Sequence, residues 1–325
     1  MKRFTAAIIG LGQIGQNYDY GNSDGSYILT HAHGFTYHAG FELIAAVDID
    51  GAKRARFESK FKKPSFQSID MMFQSFLPDI IAIAVPTEDH FKIFKEVIKF
   101  KPLSIICEKP IAKKIEDGKT MTEMAKVANC TLLVNYIRRF EPGVLSLKRM
   151  IHNDEIGQIY KGIVWYSKGI LNNGSHFIDL LLFLLGKSSN IRIINKGRMW
   201  AGIDPEPDVV INFGNAEIFF LSGTEEYFSI GDMELIGVGG KIKYCNFGNQ
   251  ICIKKSEQDT VFSDYSILSK EDSVITNDMN RYQWHVLDHL YRHLTEKNPL
   301  NSNGQTAMET FKIINSIFRK GGYDV

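Results

Sequence analysis

Short apolar runs alternate with segments of helical periodicity through the first 135 residues of this 325-residue chain. The runs have the length of strands buried on both faces and lie at Ala6–Ile9, Leu43–Val47, Ile80–Val85, Ile105–Cys107 and Leu132–Val134. Between runs, apolar residues recur at helical spacing, as in Phe91, Phe94, Val97 and Ile98, and in Ile115, Met121, Met124, Ala125 and Ala128. This alternation predicts an α/β domain with a doubly wound parallel sheet, the Rossmann arrangement.

The pattern changes after about Tyr136, where shorter segments of alternating polarity are separated by turn residues such as Gly239-Gly240. We predict strands at Gly157–Tyr166, Val209–Phe213, Ile218–Leu221, Met233–Val238, Ile242–Cys245 and Ile251–Lys254. Helices are predicted at Pro142–His152, around His176–Leu185, near Asn280–Glu296 and at Gln305–Arg319. The chain length suits two domains. We therefore expect a dinucleotide-type Rossmann domain at residues 1–136 and an α+β domain with a mainly antiparallel sheet at residues 137–325.

Charge and composition exclude several classes of protein. The chain has 38 lysine and arginine residues against 37 aspartate and glutamate residues, a net charge of +1. This near balance argues against a nucleic-acid partner or a polybasic membrane contact. The cysteines are few and form no Cys-x-x-Cys pair, so we expect reduced, mostly buried thiols at Cys107, Cys130, Cys245 and Cys252. The start of the chain has no signal-peptide pattern, and the longest apolar run, Leu180–Leu185, is too short to span a bilayer. A cytoplasmic protein is expected.

A glycine-rich turn follows the first predicted strand. Gly10, Gly12 and Gly15 have the G-x-G-x-x-G spacing, with Gln13 and Ile14 between them. Glycine permits a tight turn and a close approach to pyrophosphate, and the start of a following helix would face the phosphate charge. Because the motif stands directly after a strand, it predicts a dinucleotide-binding loop rather than an unliganded turn.

Asp48 ends the second predicted strand, where a carboxylate can accept ribose hydroxyls and repel a 2′-phosphate. NAD is therefore preferred, although Lys53 and Arg54 could neutralise the phosphate of NADP, and Asp48 could instead cap the next helix. The spacing from Gly10 to Asp48 is long for this fingerprint, so residues 17–29 are interpreted as an insertion before a helical pattern resumes at Thr30–His38. The insertion could overhang the cofactor or be a surface loop.

Three further segments carry candidate site residues. Pro86, Thr87 and His90 follow a predicted strand and are candidate cofactor contacts, with Thr87 placed to cap a helix and His90 also compatible with a structural role. Glu108-Lys109-Pro110 ends the next strand, at the sheet edge where doubly wound folds bind ligands. The Lys109-Pro110 bond is a candidate cis peptide, which would aim Lys109 into the cleft. Asn172 to Asp179, with His176, opens a helix in the second half.

Taken in order, these motifs resemble the glucose-fructose oxidoreductase and inositol dehydrogenase (Gfo/Idh/MocA) family. The resemblance includes the glycine loop, Glu108-Lys109-Pro110, Asn135-Tyr136-x-Arg138-Arg139-Phe140 and the segment around His176. It implies that Lys109 and His176 are catalytic, that the substrate carries a hydroxyl carbon on a sugar, cyclitol or activated sugar, and that the second domain's sheet builds a homodimer or homotetramer. It also implies that Glu108 and Lys109 lie at the cofactor.

The chemistry of the two residues follows from their side chains. A histidine titrates near neutrality and suits the general base that removes the hydroxyl proton, the role predicted for His176. A lysine ammonium stabilises the developing alkoxide, the role predicted for Lys109. The family usually has aspartate where this chain has Asn172, and an amide can hydrogen-bond an imidazole or a substrate hydroxyl but brings no charge. Asparagine with glycine two residues later is similar to members acting on nucleotide-sugars.

Other residues have weaker assignments. Tyr136, Arg139, Tyr166 and Lys168 are candidate substrate contacts, although each suits a surface or ion-pair role equally well. His285, His289 and His293 have the spacing of metal ligands on one helical face, but we favour a solvated face and predict no metal site.

Two alternative functions remain open. One is sugar hydrolysis or elimination with a recycled cofactor, and the other is a non-catalytic NAD or sugar sensor.

Overall fold

The computed structural model describes residues 2–22 and 24–323, which form two compact units. The first unit comprises the chain up to Phe140 together with Asn280–Glu309, and the second comprises Glu141–Met279 and the chain from Thr310 onward. The first unit thus extends a few residues past the predicted boundary at 136. It also takes in Asn280–Glu309, which the sequence alone placed in the second domain.

The described residues form nine α-helices joined by shorter turns. The helices are α1 (His31–Tyr37), α2 (Gly51–Phe61), α3 (Ile69–Ser75), α4 (His90–Val97), α5 (Ile115–Val127), α6 (Pro142–His152), α7 (Ser175–Leu185), α8 (Tyr282–Glu296) and α9 (Gly304–Gly321). Single turns of π-helix occur at Gln13–Asn17 and Gly169–Gly174, and 3₁₀ turns at Thr87–Asp89, Ile98–Phe100, Ile137–Phe140, Asn246–Gly248 and Met279–Arg281. No helix within the described ranges is both long and apolar enough to cross a membrane.

The first unit is built on a six-stranded parallel sheet. Its strands are β1 (Phe4–Ile9), β2 (Phe41–Val47), β3 (Ser65–Phe66), β4 (Ile80–Ile83), β5 (Ser104–Cys107) and β6 (Thr131–Val134). They lie in the order β3-β2-β1-β4-β5-β6, with the chain reversing direction across the sheet at β1 and β4. The predicted Rossmann arrangement is confirmed. The two-residue β3 was not predicted, because two half-buried residues carry no periodic signal.

Apolar packing explains why α8 belongs to the first unit. Val286, Leu287 and Leu290 on one face of α8 are completely buried in the same core cluster as Ile8 and Phe35. The face repeats at helical spacing, so the helix covers the sheet although it lies far along the sequence. The parallel sheet needs helices on both faces, and α8 supplies part of that cover.

The second unit contains a nine-stranded mixed sheet. Its strands are β7 (Ile159–Tyr166), β8 (Ser188–Asn195), β11 (Asp208–Phe213), β12 (Ala216–Ser222), β13 (Gly231–Gly237), β14 (Gly240–Cys245), β15 (Gln250–Gln258), β16 (Ser266–Leu268) and β17 (Ser273–Ile275), and β9 (Met199–Trp200) pairs with β10 (Asp204–Pro205) in a separate hairpin. The order is β16-β15-β14-β13-β7-β12-β11-β8, with β17 beside β15. All pairs are antiparallel except β7 with β12. The predicted mainly antiparallel sheet is confirmed.

One face of this sheet is covered by helices and the other is partly exposed. Leu180, Leu181 and Leu184 of α7 pack into the core with Val164 and Tyr166, so the Leu180–Leu185 run is core, as predicted. On β7, the alternate residues Ile163 and Trp165 face away from this core. Strands β8, β16 and β17 were not predicted, because most of their side chains are exposed and lack a clean alternation.

Candidate functional site

The glycine loop of the first unit lies against a cleft of about 720 Å³ at the carboxyl edge of the parallel sheet. Residues lining it come from the turns after β1, β2, β3 and β4 and from the start of α4, and include Gly10, Gly12, Gln13, Asp48, Gln67, Ser68, Pro86 and Lys92. These four turns follow strands that lie side by side in the sheet, in the order β3-β2-β1-β4. The cleft therefore has the position at which doubly wound sheets bind ligands.

The three motif glycines differ in the space that surrounds them. Gly10 has φ +100°, and a Cβ there would lie 2.6 Å from the backbone carbonyl of Ala84. A Cβ at Gly15 would overlap the carbonyl oxygen of Gly10, whereas a Cβ at Gly12 would meet nothing within 4 Å. Gly10 and Gly15 are thus required by the fold, and Gly12 is the glycine that leaves open space at the cleft. This cradle fits a group that approaches the backbone closely, as a dinucleotide pyrophosphate does.

The helix expected after the glycine loop is interrupted. Only the π-turn Gln13–Asn17 follows directly, and α-helix resumes at α1. The predicted resumption near Thr30 is confirmed, with the Thr30 side chain capping the amide of His33. The expectation that a regular helix dipole would face the phosphate is wrong, because so short a turn has almost no aligned peptides. Donors at this point are instead the backbone N–H groups that begin the turn, which lack an intrahelical acceptor.

The insertion at residues 17–29 is fastened to the first unit. Asp19 is buried, and its carboxylate accepts hydrogen bonds from the Leu29 amide at 2.6 Å and the Thr30 hydroxyl at 2.7 Å, with His33 Nδ1 at 2.6 Å. Burial by itself raises the pKa of Asp19, but the hydrogen bonds from His33 and Thr30 outweigh it and lower the pKa below its ordinary value. The end of the insertion also bonds the segment before α8, from Ile28 N to the Asn280 carbonyl.

Asp48 lines the cleft and also fixes the glycine loop. Its Oδ2 accepts from Leu11 N at 2.7 Å and its Oδ1 from Asp50 N at 2.8 Å. The helix cap considered for Asp48 is made by Asp50 instead, which accepts from the amides of Ala52 and Lys53. Carboxylate oxygens have lone pairs beyond these bonds, so Asp48 retains acceptor capacity for ribose hydroxyls.

The two basic residues after Asp48 are placed differently. The Arg54 guanidinium donates to the carbonyls of Asp48 at 2.8 Å and Ile49 at 3.1 Å, whereas Lys53 lines the cleft. Arg54 is therefore committed to the backbone of the turn after β2.

The turn after β4 contributes Pro86 and Asp89 to the cleft, but its other predicted contacts have different surroundings. Thr87 lies inside a 3₁₀ turn and makes no side-chain cap, so the predicted capping role is wrong: α4 begins one turn later, at His90. His90 is buried, with Nδ1 3.0 Å from the Pro110 carbonyl and Nε2 3.0 Å from the Val85 carbonyl. Burial lowers its pKa. These contacts give His90 a structural part in joining two loops.

Glu108 and Lys109 follow β5 at the same sheet edge. The Lys109–Pro110 peptide is cis, as predicted. The Glu108 carboxylate accepts from His31 Nε2 at 2.8 Å and from Asn135 Nδ2 at 2.6 Å. Burial by itself raises the pKa of Glu108, but these hydrogen bonds and the charge of Lys109 outweigh it, so the pKa lies below its ordinary value. Glu108 is consequently a carboxylate at neutral pH.

Two predicted substrate contacts of the first unit are buried. Tyr136 is 1% exposed and Arg139 is 4% exposed. The Arg139 guanidinium donates to the Asn301 carbonyl at 3.0 Å, and the Asn301 amide donates back to the Arg139 carbonyl. Arg139 thus secures the loop between α8 and α9.

In the second unit, two acidic residues of the β10 segment hold the π-turn Gly169–Gly174. Asp204 is buried and accepts from Leu171 N at 3.0 Å and Asn172 N at 2.8 Å. Glu206 is also buried and accepts from Gly169 N at 3.1 Å. His176 follows this turn as the second residue of α7 and is partly exposed. Sequence reasoning missed both carboxylates, since Asp204-Pro205-Glu206 has no spacing that links it to residue 172.

Tyr166 and Lys168 precede the same turn. Tyr166 is completely buried, its hydroxyl donates to the Pro207 carbonyl at 2.6 Å, and burial raises its pKa well above the ordinary value. It therefore occupies a core position in place of the predicted substrate contact. Lys168 has φ +65° and pairs with Glu225 at 3.2 Å.

The three histidines of α8 are partly exposed, and two of them also hydrogen-bond the loop that follows the helix. His289 Nε2 lies 3.1 Å from the Pro299 carbonyl, and His293 Nδ1 lies 2.6 Å from the Asn298 carbonyl. Both rings hold the loop after α8, and burial lowers the pKa of His289. Among the described residues, no group of three or more histidine, cysteine, aspartate or glutamate side chains is placed to hold a metal ion.

The cysteines have the expected state. All four are reduced thiols, and Cys107, Cys130 and Cys252 are buried.

Comparison with known proteins places this geometry in context. Residues 4–136 match the Gfo/Idh/MocA sequence profile, described as an oxidoreductase family with an NAD-binding Rossmann fold. The rhizopine catabolism protein MocA of Rhizobium meliloti is 23% identical over 226 residues, covering 65% of this chain and 67% of that protein. The NAD⁺-dependent scyllo-inositol 2-dehydrogenase of Bacillus subtilis is 28% identical over 186 residues, covering 50% of this chain and 54% of its own length.

A solved structure shares the whole fold. The WlbA dehydrogenase of Bordetella pertussis, in complex with NADH and UDP-GlcNAcA, superimposes with a TM-score of 0.78 at 18% identity, covering 99% of this chain and 96% of that one. The similarity extends over both units, each of which has its counterpart fold in that enzyme.

Proposed function

Since this chain, through residues 4–136, belongs to the Gfo/Idh/MocA family of NAD-binding oxidoreductases, we propose that it transfers a hydride between nicotinamide and a secondary hydroxyl carbon of a sugar, cyclitol or nucleotide-sugar. When bound, the nicotinamide ring supplies the hydride acceptor or donor. The rest of the chemistry falls to the protein, which binds the cofactor, orients the substrate and moves the hydroxyl proton.

The cleft beside the glycine loop would hold the dinucleotide. Gly12 and Gln13 would meet the pyrophosphate with backbone N–H groups, Gly10 would give the loop its tight turn while its own N–H donates to the Val47 carbonyl, and Asp48 would accept the ribose hydroxyls. We propose NAD over NADP because Asp48 places a carboxylate on the cleft wall while Arg54 is committed to carbonyl oxygens. A 2′-phosphate would meet the carboxylate with the ammonium of Lys53 nearby but without a guanidinium to neutralise it.

Lys109 and His176 would carry the proton chemistry. His176, partly exposed at the start of α7, would accept the hydroxyl proton as the hydride leaves. Lys109 would stabilise the negative charge that develops on the same oxygen. Asn172 would hydrogen-bond the substrate or the imidazole without adding charge, so the basicity of His176 would depend less on a neighbouring carboxylate than in a family member with aspartate.

A nucleotide-sugar is the substrate class that we favour. The Asn172 and Gly174 pair is the feature that supports it, together with the fold shared with WlbA, which was solved with UDP-GlcNAcA. Lys168, half-exposed and paired with Glu225, lies just before the turn that carries Asn172. Unlike the buried Tyr166, it remains accessible to a substrate.

The exposed sheet face of the second unit supports a homodimer or homotetramer. Trp165 is 40% exposed, and a shallow groove of about 260 Å³ on this face is lined by Ile163, Phe219, Leu221 and Ile236 with charged neighbours. Apolar side chains on one open sheet face commonly mark an association surface. A Trp165→Glu variant should shift the mass measured by light scattering toward the monomer, and an unchanged mass would contradict this surface.

The cleft at the glycine loop, with its open position at Gly12, is the observation that carries the proposal. The test is to incubate the protein with NAD and a panel of sugars, cyclitols and nucleotide-sugars while NADH absorbance and products are followed together. Lys109→Ala and His176→Ala should each retain NAD affinity and lose turnover. Product without net NADH would favour elimination or hydrolysis with a recycled cofactor. No product at all, with ligand-dependent binding of a partner, would favour a sensor.

A further inference from the structure

Glu108 and three side chains from other elements of the first unit are joined by hydrogen bonds. The other three are His31 at the start of α1, Asn135 after β6 and Gln283 on α8. His31 and Gln283 are 0% exposed and Asn135 is 1% exposed. Complete burial costs polar groups free energy unless each of them has a hydrogen-bond partner. The positions of these side chains relative to one another must therefore be specific.

The four side chains form a closed ring of hydrogen bonds. Glu108 Oε1 accepts from His31 Nε2 at 2.8 Å and from Asn135 Nδ2 at 2.6 Å. Asn135 Nδ2 also donates to Gln283 Oε1 at 3.1 Å, and Gln283 Nε2 lies 3.0 Å from His31 Nδ1. The partners are separated by as many as 252 positions in the sequence.

Donor and acceptor chemistry gives the ring a single direction. Glu108 is a carboxylate and can only accept, so Asn135 must turn its amide nitrogen toward it. Gln283 must then present its oxygen to Asn135 and its nitrogen to His31. An amide nitrogen only donates, so Nδ1 of His31 accepts and the proton of His31 lies on Nε2, pointing at Glu108. Reversing any one amide would set two donors or two acceptors against each other.

The insertion supports this ring. Ile28 at its end exchanges backbone hydrogen bonds with the segment that carries Gln283: Ile28 N donates to the Asn280 carbonyl at 2.8 Å, and Gln283 N donates to the Ile28 carbonyl at 3.1 Å. Asp19 holds Thr30, the cap of α1, directly before His31. Two of the four ring members are thus placed by contacts that the insertion makes.

We propose that His31 is a positioning residue for the proposed hydride transfer, holding the Glu108 carboxylate in one orientation beside Lys109 through a ring closed by Asn135 and Gln283. The inference rests on the proposed function, because Lys109 is the group whose placement it serves. Glu108 and Lys109 are adjacent in the chain, and the charge of Lys109 already acts on Glu108. A carboxylate fixed by two hydrogen-bond donors, which Gln283 in turn joins, restrains both the backbone that bears Lys109 and the field at its ammonium.

The first experiment is a double-mutant cycle between His31 and Glu108 in the full-length enzyme. His31→Leu should lower kcat by about 10- to 100-fold with little change in the Kd for NAD, because none of the ring residues lines the dinucleotide cleft. Glu108→Gln should lower kcat similarly. Since His31 acts through Glu108, the double variant should lose little more than the worse single variant.

Matched variants separate positioning from loss of packing. His31→Gln keeps an amide nitrogen that can donate to Glu108 and should recover most of the kcat lost in His31→Leu. His38→Leu removes another buried histidine, which caps the end of the same helix. The imidazole Nε2 of His38 lies 3.6 Å from Asp288, and His38 is not part of the hydrogen-bond ring around Glu108. It should lower the melting temperature and leave kcat unchanged.

A measurement on the unmutated protein covers the case in which a ring variant fails to fold. Selective ¹⁵N-histidine labelling with NMR should show a neutral imidazole protonated on Nε2, assigned to His31 in the wild-type protein through its backbone amide. Protonation on Nδ1, or on both nitrogens, would overturn the ring.

The kinetic outcomes distinguish this inference from the proposed function. Multiplicative losses in the cycle, or a His31→Leu enzyme with unchanged kcat, would overturn the positioning role in an active enzyme. Wild-type protein without turnover on the whole panel would overturn the proposed function, and the positioning role with it.

Discussion

The two glycines Gly10 and Gly12 should respond to alanine in opposite ways. At Gly10, alanine would have to adopt φ +100° and place its Cβ 2.6 Å from the Ala84 carbonyl group, which is backbone and cannot move aside. The strained dihedral costs about 1–3 kcal/mol and the overlap about 1–3 kcal/mol more, so Gly10→Ala should lose at least about 2 kcal/mol of the free energy of unfolding. For a unit of this size that lowers the melting temperature by at least roughly 4 °C.

At Gly12 the backbone has φ −77°, which alanine adopts readily, and the added Cβ meets nothing within 4 Å. Gly12→Ala should therefore fold with unchanged or slightly raised stability, since alanine restricts the unfolded chain. Its methyl group would enter the space that a pyrophosphate needs, and we expect NAD to bind about tenfold more weakly or worse.

Thermal unfolding with and without NAD measures both effects. At an NAD concentration of about 100 times the wild-type Kd, bound NAD stabilises the wild type by about 2.7 kcal/mol, and a tenfold weaker Kd reduces this to about 1.4 kcal/mol. Gly21→Ala is the matched control, because its Cβ also meets nothing within 4 Å but lies in the insertion, outside the cleft lining. Gly12→Ala binding NAD as tightly as wild type would refute the close approach, and a fully stable Gly10→Ala would refute the steric argument.

Three further predictions follow from charge and burial. Asp48→Asn keeps an acceptor for Leu11 N but removes the charge, so the preference for NAD over NADP should narrow by at least about tenfold in Kd values from calorimetry, and an unchanged ratio would contradict the role of Asp48. The pKa of Asp19 is lowered in the folded state, so its stabilising effect is complete above about pH 4 and disappears as the pH falls through the folded pKa. The difference in free energy of unfolding between wild type and Asp19→Asn should shrink over that acid range in urea titrations, whereas a difference that grows there would have the wrong sign. Burial raises the pKa of Cys130 to about 12, so native alkylation followed by mass spectrometry should modify the less buried Cys245 first; faster labelling of Cys130 would contradict its burial.

The central strands of both sheets were predictable because burial imposes a pattern on the sequence. Ile80–Ile83 and Ser104–Cys107 are buried on both faces and appear as continuous apolar runs, and α6 was predicted with the bounds Pro142–His152 that the structure has. Edge elements impose no such pattern. All three side chains of β16, Ser266–Leu268, are exposed, so nothing in their sequence distinguishes the strand from a loop.

The cap predicted at Thr87 and the extent of the first unit depend on information that a sequence pattern does not carry. A threonine before an apolar segment is a common cap, yet the α4 helix starts after a 3₁₀ turn, and only the backbone dihedrals reveal that Thr87 lies inside it. The assignment of α8 to the first unit depends on which core its apolar face meets. Val286 and Leu290 would give the same helical periodicity against either sheet.

The residues of the candidate site also differ in how far the sequence alone could predict them. The glycine loop, Asp48 and the cis Lys109–Pro110 bond were predictable because they are short motifs whose chemistry is local. Residues that act through long-range contacts were not. Asp204 bonds the amide of Asn172 across 32 positions, and neither residue's neighbours in the sequence indicate the pairing.

Glu108 shows why such contacts matter for function as well as for folding. A largely buried carboxylate is costly, and replacing it together with all of its partners by hydrophobic residues would often be as stable or more so. The chain instead surrounds this carboxylate with a histidine and an amide, which donate hydrogen bonds but leave its negative charge in place. A cation in the position of His31 would have cancelled that charge. Glu108→Leu would leave the buried donors of His31 and Asn135 without this acceptor, so it should lower both the free energy of unfolding and kcat. Glu108→Gln keeps an acceptor oxygen but removes the charge, so it should keep most of the stability while it loses turnover, and a Glu108→Gln enzyme with unchanged kcat would show that the charge of Glu108 does not serve catalysis.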